Sequence, residues 1–291
     1  MTRKMGVLLI GFLFSALASF SGVADTDAKP PFFEVTVNGK TTYLLGSVHV
    51  GRAQMYPLPS AVEAKLKSAE AIVLEVLIEN ADLPTLMQNY GMGKPQLPDD
   101  VAQKRQRFCE DYVRECASID VLQPWMQASM ITMLRFGELG LTPEYGVESY
   151  ISNRYAQLPR YELESTELQF KMFSSLSAEL QLLMLKDALE AQPAELSELL
   201  DAWGGGDPAA LTELVKAGFG DNPELFEKII VERNRDMVSA LLQLLTSAKQ
   251  NKLFVVVGAA HLVGPDSMPQ MLSEKGAKVV DCFAQTCGVS W

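Results

Sequence analysis

The 291-residue chain contains two histidines, and both close a Gly-x-x-His tetrad: Gly46-Ser47-Val48-His49 and Gly258-Ala259-Ala260-His261. Imidazole ionises near neutral pH and is a common ligand for divalent metals. Each tetrad follows an apolar run, Tyr43-Leu44-Leu45 in the first case and Leu253-Phe254-Val255-Val256-Val257 in the second. A glycine three residues ahead of the histidine permits a sharp turn or a close approach of backbone to ligand. A single such histidine reads equally well as a polar residue bonded to nearby backbone. Two of them in matching contexts point to one shared site.

Two imidazoles suit a divalent ion, but a catalytic metal centre needs a third ligand and an open position for water. Carboxylates are the available supply. Glu75 follows Ile72-Val73-Leu74 in a run that reads as buried, where an unpaired carboxylate is costly; the alternative is a strand-end residue already in solvent. Glu164 lies in Tyr161-Glu162-Leu163-Glu164-Ser165-Thr166, where a strand-like piece gives way to a helix that Ser165 or Thr166 would cap. The polar cluster Val231-Glu232-Arg233-Asn234-Arg235-Asp236 interrupts an amphipathic helix and reads either as a solvated face or as part of the site. In the second case Arg233 orients carboxylates or stabilises an oxyanion, and Asn234 holds a ligand or carbonyl. The expected metal ligands are thus His49, His261 and Glu75, and the expected catalytic residues are Glu164, Arg233 and Asn234. Glu75 and Glu164 are interchangeable as third ligand and proton acceptor. Zinc, manganese, iron and cobalt all suit such a donor set.

The elements that must position these groups are legible from patterning. Phe32 to Val37 and Thr41 to Leu45 flank Asn38-Gly39-Lys40, a hairpin signal. A helix from about Ser60 to Ser68 leads to a buried strand at Ala71 to Val76, which makes a strand, helix, strand unit. From about Asp99 to Leu245 the pattern is helical, with a polar interruption near Leu158 to Glu164 and a turn at Gly204-Gly205-Gly206-Asp207-Pro208. Apolar spacing predicts helices over Leu168 to Ala191 and Pro223 to Ala248. A second strand, helix, strand unit comes last, with strands at Leu253 to Val257 and Lys278 to Cys282 and a helix near Met268 to Glu274. The reading is one α/β domain over residues 25–291, with a mostly parallel central sheet and a helical insertion at about 99–248. Parallel sheets bind ligands beyond the carboxyl ends of their strands, where both histidines fall.

Residues 1–24 read as an export signal: Arg3 and Lys4, an apolar stretch from Met5 to about Ala18, then small residues ending at Ala24. No later segment is long and apolar enough to span a bilayer. Export to the periplasm or the extracellular space agrees with four cysteines, read as local disulfides Cys109–Cys116 and Cys282–Cys287. Seven residues of unbroken helix rise about 10.5 Å, beyond the roughly 7 Å limit for disulfide Cα atoms, so the helix must bend or end between Cys109 and Cys116. Neither spacing is the Cys-x-x-Cys of a zinc site. A formal charge of -11 argues against nucleic acid as a partner.

At these residues the chain resembles the TraB/PrgY/GumN family, which includes the animal Tiki proteins. The matching pieces are Leu44 to Val50, Ile72 to Glu75, Tyr145 to Glu148, Leu163 to Gln169, Glu232-Arg233-Asn234 and Val257 to Gly264, in the family's order. The resemblance implies a fold like that of erythromycin esterase and the ChaN haem-binding proteins, and a metal-dependent peptide-cleaving activity. Glu148 stands where the family usually has Asp, and its longer side chain argues against a direct role. The expected function is an exported metal-dependent hydrolase acting on peptides. A non-catalytic peptide or small-ligand binding protein on the same fold is the alternative, and a hydrolase using histidine as general base without metal is a third.

Overall fold

The computed structural model describes residues 28–220, 222–284 and 287, so the expected export signal at 1–24 lies outside the described residues. Six strands form one sheet: β1 (Phe32–Val37), β2 (Lys40–Ser47), β3 (Ala71–Leu74), β4 (Arg160–Glu162), β5 (Leu253–Gly258) and β6 (Lys278–Asp281). Their order across the sheet is β4-β3-β5-β2-β1-β6. The sheet is mixed, with three parallel and two antiparallel pairings among the described residues. β4, β3, β5 and β2 run parallel, whereas β1 pairs antiparallel with both β2 and β6.

The antiparallel part arises from the hairpin that the sequence announces. Asn38 and Gly39 both have positive φ, 51° and 78°, as a two-residue primed turn requires. That turn sets β1 against β2 with Val37 opposite Lys40 and Phe32 opposite Leu45. β6 then attaches to the outer edge of β1 and not beside β5, so the second strand, helix, strand unit spans two intervening strands.

β3 and β5 are buried along their whole length, and β2 from Thr42 onward, because helices cover both faces. Alternation along the strands sorts side chains between two cores. Tyr43, Leu45, Ile72, Leu74, Phe254 and Val256 meet Val62 and Leu66 of the Ser60–Ser68 helix and Ile151 of the Val147–Arg154 helix. Leu44, Ala71, Val73, Val255 and Val257 meet Met237, Val238 and Leu241 of the Arg233–Ser247 helix and Met268 and Leu272 of the Met268–Glu274 helix. A third core is built among helices, around Trp125, Phe170, Phe173 and Leu185.

The long stretch between β3 and β5 is mostly helical, as its periodicity predicts, but differs in detail. β4 occupies the polar interruption and adds an edge strand to the sheet. The run expected over Leu168 to Ala191 divides into Thr166–Ser175 and Ala178–Glu190, because Leu176 turns extended and the Ser177 hydroxyl accepts the Leu180 N–H at 3.2 Å. The helix expected from Pro223 contains a π-helical segment, Glu227–Glu232, immediately before Arg233. Both disulfides form. The Asp99–Asp111 helix ends at Tyr112 before the Val113–Ile119 helix begins, which brings the Cα atoms of Cys109 and Cys116 to 5.7 Å. Cys282 and Cys287 stand 4.9 Å apart, Cα to Cα. No helix among the described residues is long and apolar enough to cross a membrane.

Candidate functional site

Three adjacent parallel strands end at one edge of the sheet and deliver the candidate residues there. In the β2–β5 ladder Gly46 stands opposite Val257 and Ser47 opposite Gly258, so the two tetrads leave the sheet one residue out of register. β3 lies on the other side of β5, with Leu74 opposite Val256, and Glu75 is the next residue. Both glycines have a packing reason. A Cβ on Gly46 would come within 3.1 Å of the Ala259 Cα and 3.0 Å of the Pro31 Cβ. A Cβ on Gly258 would stand 3.5 Å from Glu75 Oε2, 3.6 Å from His49 Nε2 and 3.4 Å from His261 Cδ2. Those three side chains therefore converge on one point above the end of β5.

Glu75 is buried, with both oxygens engaged. Oε2 accepts the Gly258 N–H at 3.0 Å, while Oε1 accepts from Gln169 Nε2 at 3.0 Å and from Arg233 Nη2. Burial disfavours its charge, but Arg233 above all, with His49 and the Gly258 N–H, outweighs burial and holds the carboxyl well below the usual range. Arg233 also donates through Nε to Glu164, at 3.1 and 3.2 Å, and through Nη2 to Glu164 Oε1. Gln169 bridges the two carboxylates, reaching Glu164 Oε1 at 2.8 Å. Around Glu164 burial prevails over the guanidinium, and its pKa is raised. The guanidinium is thus a clamp between two carboxylates, and their charge more than offsets the burial that would weaken its own.

The two histidines are held from behind. His49 Nδ1 lies 2.8 Å from Glu148 Oε1, an oxygen that also accepts the Ser47 hydroxyl. Burial pushes the His49 pKa down, but Glu148 and then Glu75 reverse this and raise it to about 9. His261 Nδ1 lies 2.6 Å from Asn234 Oδ1. Asn234 Nδ2 donates to the Asp266 carbonyl at 2.7 Å, which fixes the amide orientation and makes His261 Nδ1 the donor. The His261 lone pair therefore sits on Nε2, 3.9 Å from Glu75 Oε2. Burial first, and then Arg233, lower the His261 pKa to about 3, so this ring is neutral across the ordinary pH range.

Above this floor lies a pocket. His49, Glu75, Arg233 and His261 line its base, and the Pro193–Gly204 helix, the Pro208–Phe219 helix and Ile229–Ile230 of the π-helical segment supply its walls. Arg233 and Asn234 are the first residues after that segment. The extra residue per turn in a π-helix rotates the residues beyond it, and such segments recur at functional sites.

Every residue singled out from sequence is found at this sheet edge, although the roles differ. Asn234 is fully buried behind His261 and does not line the pocket, so it orients a ring and does not hold a substrate carbonyl. Glu164 sits on the far side of Arg233 and is likewise absent from the pocket lining. Ser165 does cap the following helix, accepting the Leu168 N–H at 3.2 Å, so the capping reading of that segment also holds. The long side chain of Glu148 reaches His49 and acts through it. Gln169 closes the Leu163 to Gln169 piece that matches the family, but nothing in its residue type or spacing assigned it a part in the site. The donors fit a divalent ion in chemistry: two imidazoles, each braced through Nδ1 by an acceptor so that Nε2 is left for a ligand, beside a carboxylate oxygen. Among the described residues, no three His, Cys, Asp or Glu side chains already stand at metal-binding spacing.

Fold and site together define a mixed α/β protein with a histidine and carboxylate centre at the carboxyl edge of its parallel strands. The chain belongs to the TraB/PrgY/gumN family, whose profile matches residues 31–281, from just before β1 to the last residue of β6. It is 25% identical over 252 residues to "Uncharacterized protein YbaP" of Escherichia coli (strain K12) and equally so to the protein of that name from Shigella flexneri. Both alignments cover 83% of this chain and 92% of the relative. No solved structure matches the chain.

Proposed function

We propose that the protein is an exported, metal-dependent hydrolase that cleaves peptides. One observation carries this reading: His49 Nε2, Glu75 Oε2 and the edge of the His261 ring close on one point at the base of a pocket, with His261 Nε2 3.9 Å from Glu75 Oε2. Metal-ligating histidines characteristically donate their second ring N–H to a carboxylate or carbonyl, the parts that Glu148 and Asn234 play here. His49, His261 and Glu75 would hold zinc, manganese, iron or cobalt. Such an ion, when bound, activates water toward neutral pH and polarises a carbonyl. Arg233 keeps Glu75 ionised and aimed. Its Nη1, bonded to the Ile229 carbonyl at 3.3 Å, has a second N–H with which to stabilise an oxyanion. Glu164 and Gln169 hold Arg233 and Glu75 in place. The two disulfides support export. The erythromycin esterase/ChaN-like architecture belongs to the same proposal, supported by the parallel strands that end at the crevice.

Metal analysis and a peptide-cleavage assay test the reading together. The full exported chain should bind one divalent ion per molecule, lose it in the His49→Ala/His261→Ala double variant, and cleave peptides only when loaded. Gly258→Ala sharpens the test. Its φ of -50° and ψ of 135° suit alanine and the added contacts are ordinary, yet the methyl group occupies the convergence point. Folding should survive and metal should not bind. Stoichiometric metal in the double variant would sink the assignment.

The fact that both Glu75 oxygens already have protein donors favours a second reading, a peptide or small-ligand binding protein that needs no metal. Ligand binding undiminished by chelation, with no product under any of the four ions, would select it.

A further inference from the structure

We infer that the pocket beside the histidines selects substrate by one large apolar side chain, of the leucine, methionine or phenylalanine kind, adjacent to the bond that is cut. This rests on the hydrolase reading and names its substrate class. The charged and titratable groups lining the pocket are His49, Glu75, Arg233 and His261, and all four belong to the base. The walls are apolar: Trp203 from one helix, Leu211, Leu214, Val215 and Phe219 from the next, and Ile230 from the π-helical segment. A charged substrate group placed there would lose water and gain no partner, whereas an apolar one gains burial.

The wall is also fixed relative to the chemistry. The Trp203 indole N–H donates to the Gly46 carbonyl at 2.9 Å, which ties the wall to the strand that carries His49. Trp203 and Leu211 are 3% and 2% exposed and form the packed inner end, while Leu214 and Val215 are half-buried. An apolar surface left partly open and continuous with a polar base is the arrangement of a side-chain subsite. The reaction served is amide hydrolysis. The C–N bond breaks, the oxygen of water bonds to the carbonyl carbon, and its protons pass to the departing amine and the new acid.

The test is a positional scan with fluorogenic peptides on the full chain loaded with zinc, manganese, iron or cobalt. At one position flanking the cut, Leu, Met or Phe should give kcat/KM about tenfold or more above Asp, Lys or Gly, the scale a hydrophobic subsite reaches. Val215→Asp should erase that preference. Leu214→Trp, which fills the pocket with apolar surface, should shift preference toward Ala while circular dichroism stays unchanged. A flat profile, or a preference for charge, overturns the inference and leaves the hydrolase reading standing. Should no peptide be cut, the hydrolase reading fails and binding decides the inference. Quenching of Trp203 fluorescence, assigned with a Trp203→Phe control, should then show a Leu-bearing peptide binding about tenfold tighter than its Asp counterpart. Equal affinities overturn it, as does turnover confined to fatty-acyl esters.

Discussion

His49 and His261 leave neighbouring parallel strands by the same Gly-x-x-His step and face the same point, yet their ionisation is pushed in opposite directions. Behind His49 stands a carboxylate, Glu148, which overcomes burial and lifts the ring to about 9. Behind His261 stands an amide, Asn234, and nearby the cation of Arg233; burial and that cation outweigh the Glu75 carboxylate, and the ring falls to about 3. The motif places an imidazole; the residue behind it sets its charge. A site built this way holds one imidazole that favours a proton and one that refuses it, an asymmetry invisible in the two matching tetrads.

The largest expected effect comes from the group both halves share. Arg233→Ala leaves Glu75 and Glu164 buried without their cation, and unfolding in urea should show a loss of about 3–5 kcal/mol. A loss below about 1 kcal/mol would mean that the carboxylates find water or protons easily, and that the clamp does not organise the site.

Next in size is the exchange of the amide for an apolar group. Asn234→Leu strips His261 Nδ1 and the Asp266 carbonyl of partners and should cost about 1–3 kcal/mol. Asn234→Asp should instead make His261 resemble His49, raising its pKa by more than one unit in NMR titration of metal-free protein. An unmoved His261 would break the comparison.

The converse change is Glu148→Gln. In the wild type His49 has a raised pKa in the folded state, so its contribution to stability is fully present below its ordinary value of 6.5 and is lost as pH rises toward about 9. His261 has a lowered one, so its contribution is present above 6.5 and lost as pH falls toward about 3. Glu148→Gln should flatten the alkaline limb and trim the acid limb only by the share of Glu148, whose own pKa is lowered, against burial, by His49, leaving the part that His261 contributes, measured as denaturation midpoint against pH. Smallest is Ser47→Ala, which removes one hydrogen bond to Glu148 and should cost about 0.5–1.5 kcal/mol.

Much of this molecule is readable along the chain because its causes are local. Asn38-Gly39 specifies a primed turn whatever lies beyond it. The cysteine spacing demands a broken helix, and Tyr112 breaks it. A lone acid after Ile72-Val73-Leu74 marks Glu75 because burial without a partner is costly. The part of Glu148 is not local. Its neighbours say helix start, and only the distance across to His49 shows what the longer side chain is for. The positions of Glu164 and Asn234 are hidden for a similar reason: side-chain chemistry shows what a group can do, but not which side of Arg233 or His261 it stands on.

By itself, then, the sequence determined which groups gather: two imidazoles, an acid at a strand end and an arginine beside an amide, each marked by residue type and period. The tertiary structure alone decided that β6 pairs with β1, that Arg233 clamps two carboxylates, and that apolar walls rise over the base. The physical reason is range. Turns, caps and strand patterns are set within a few residues, whereas the charge of each histidine depends on Glu148 and Asn234, brought in from distant segments by the packing of helices on both faces of the sheet.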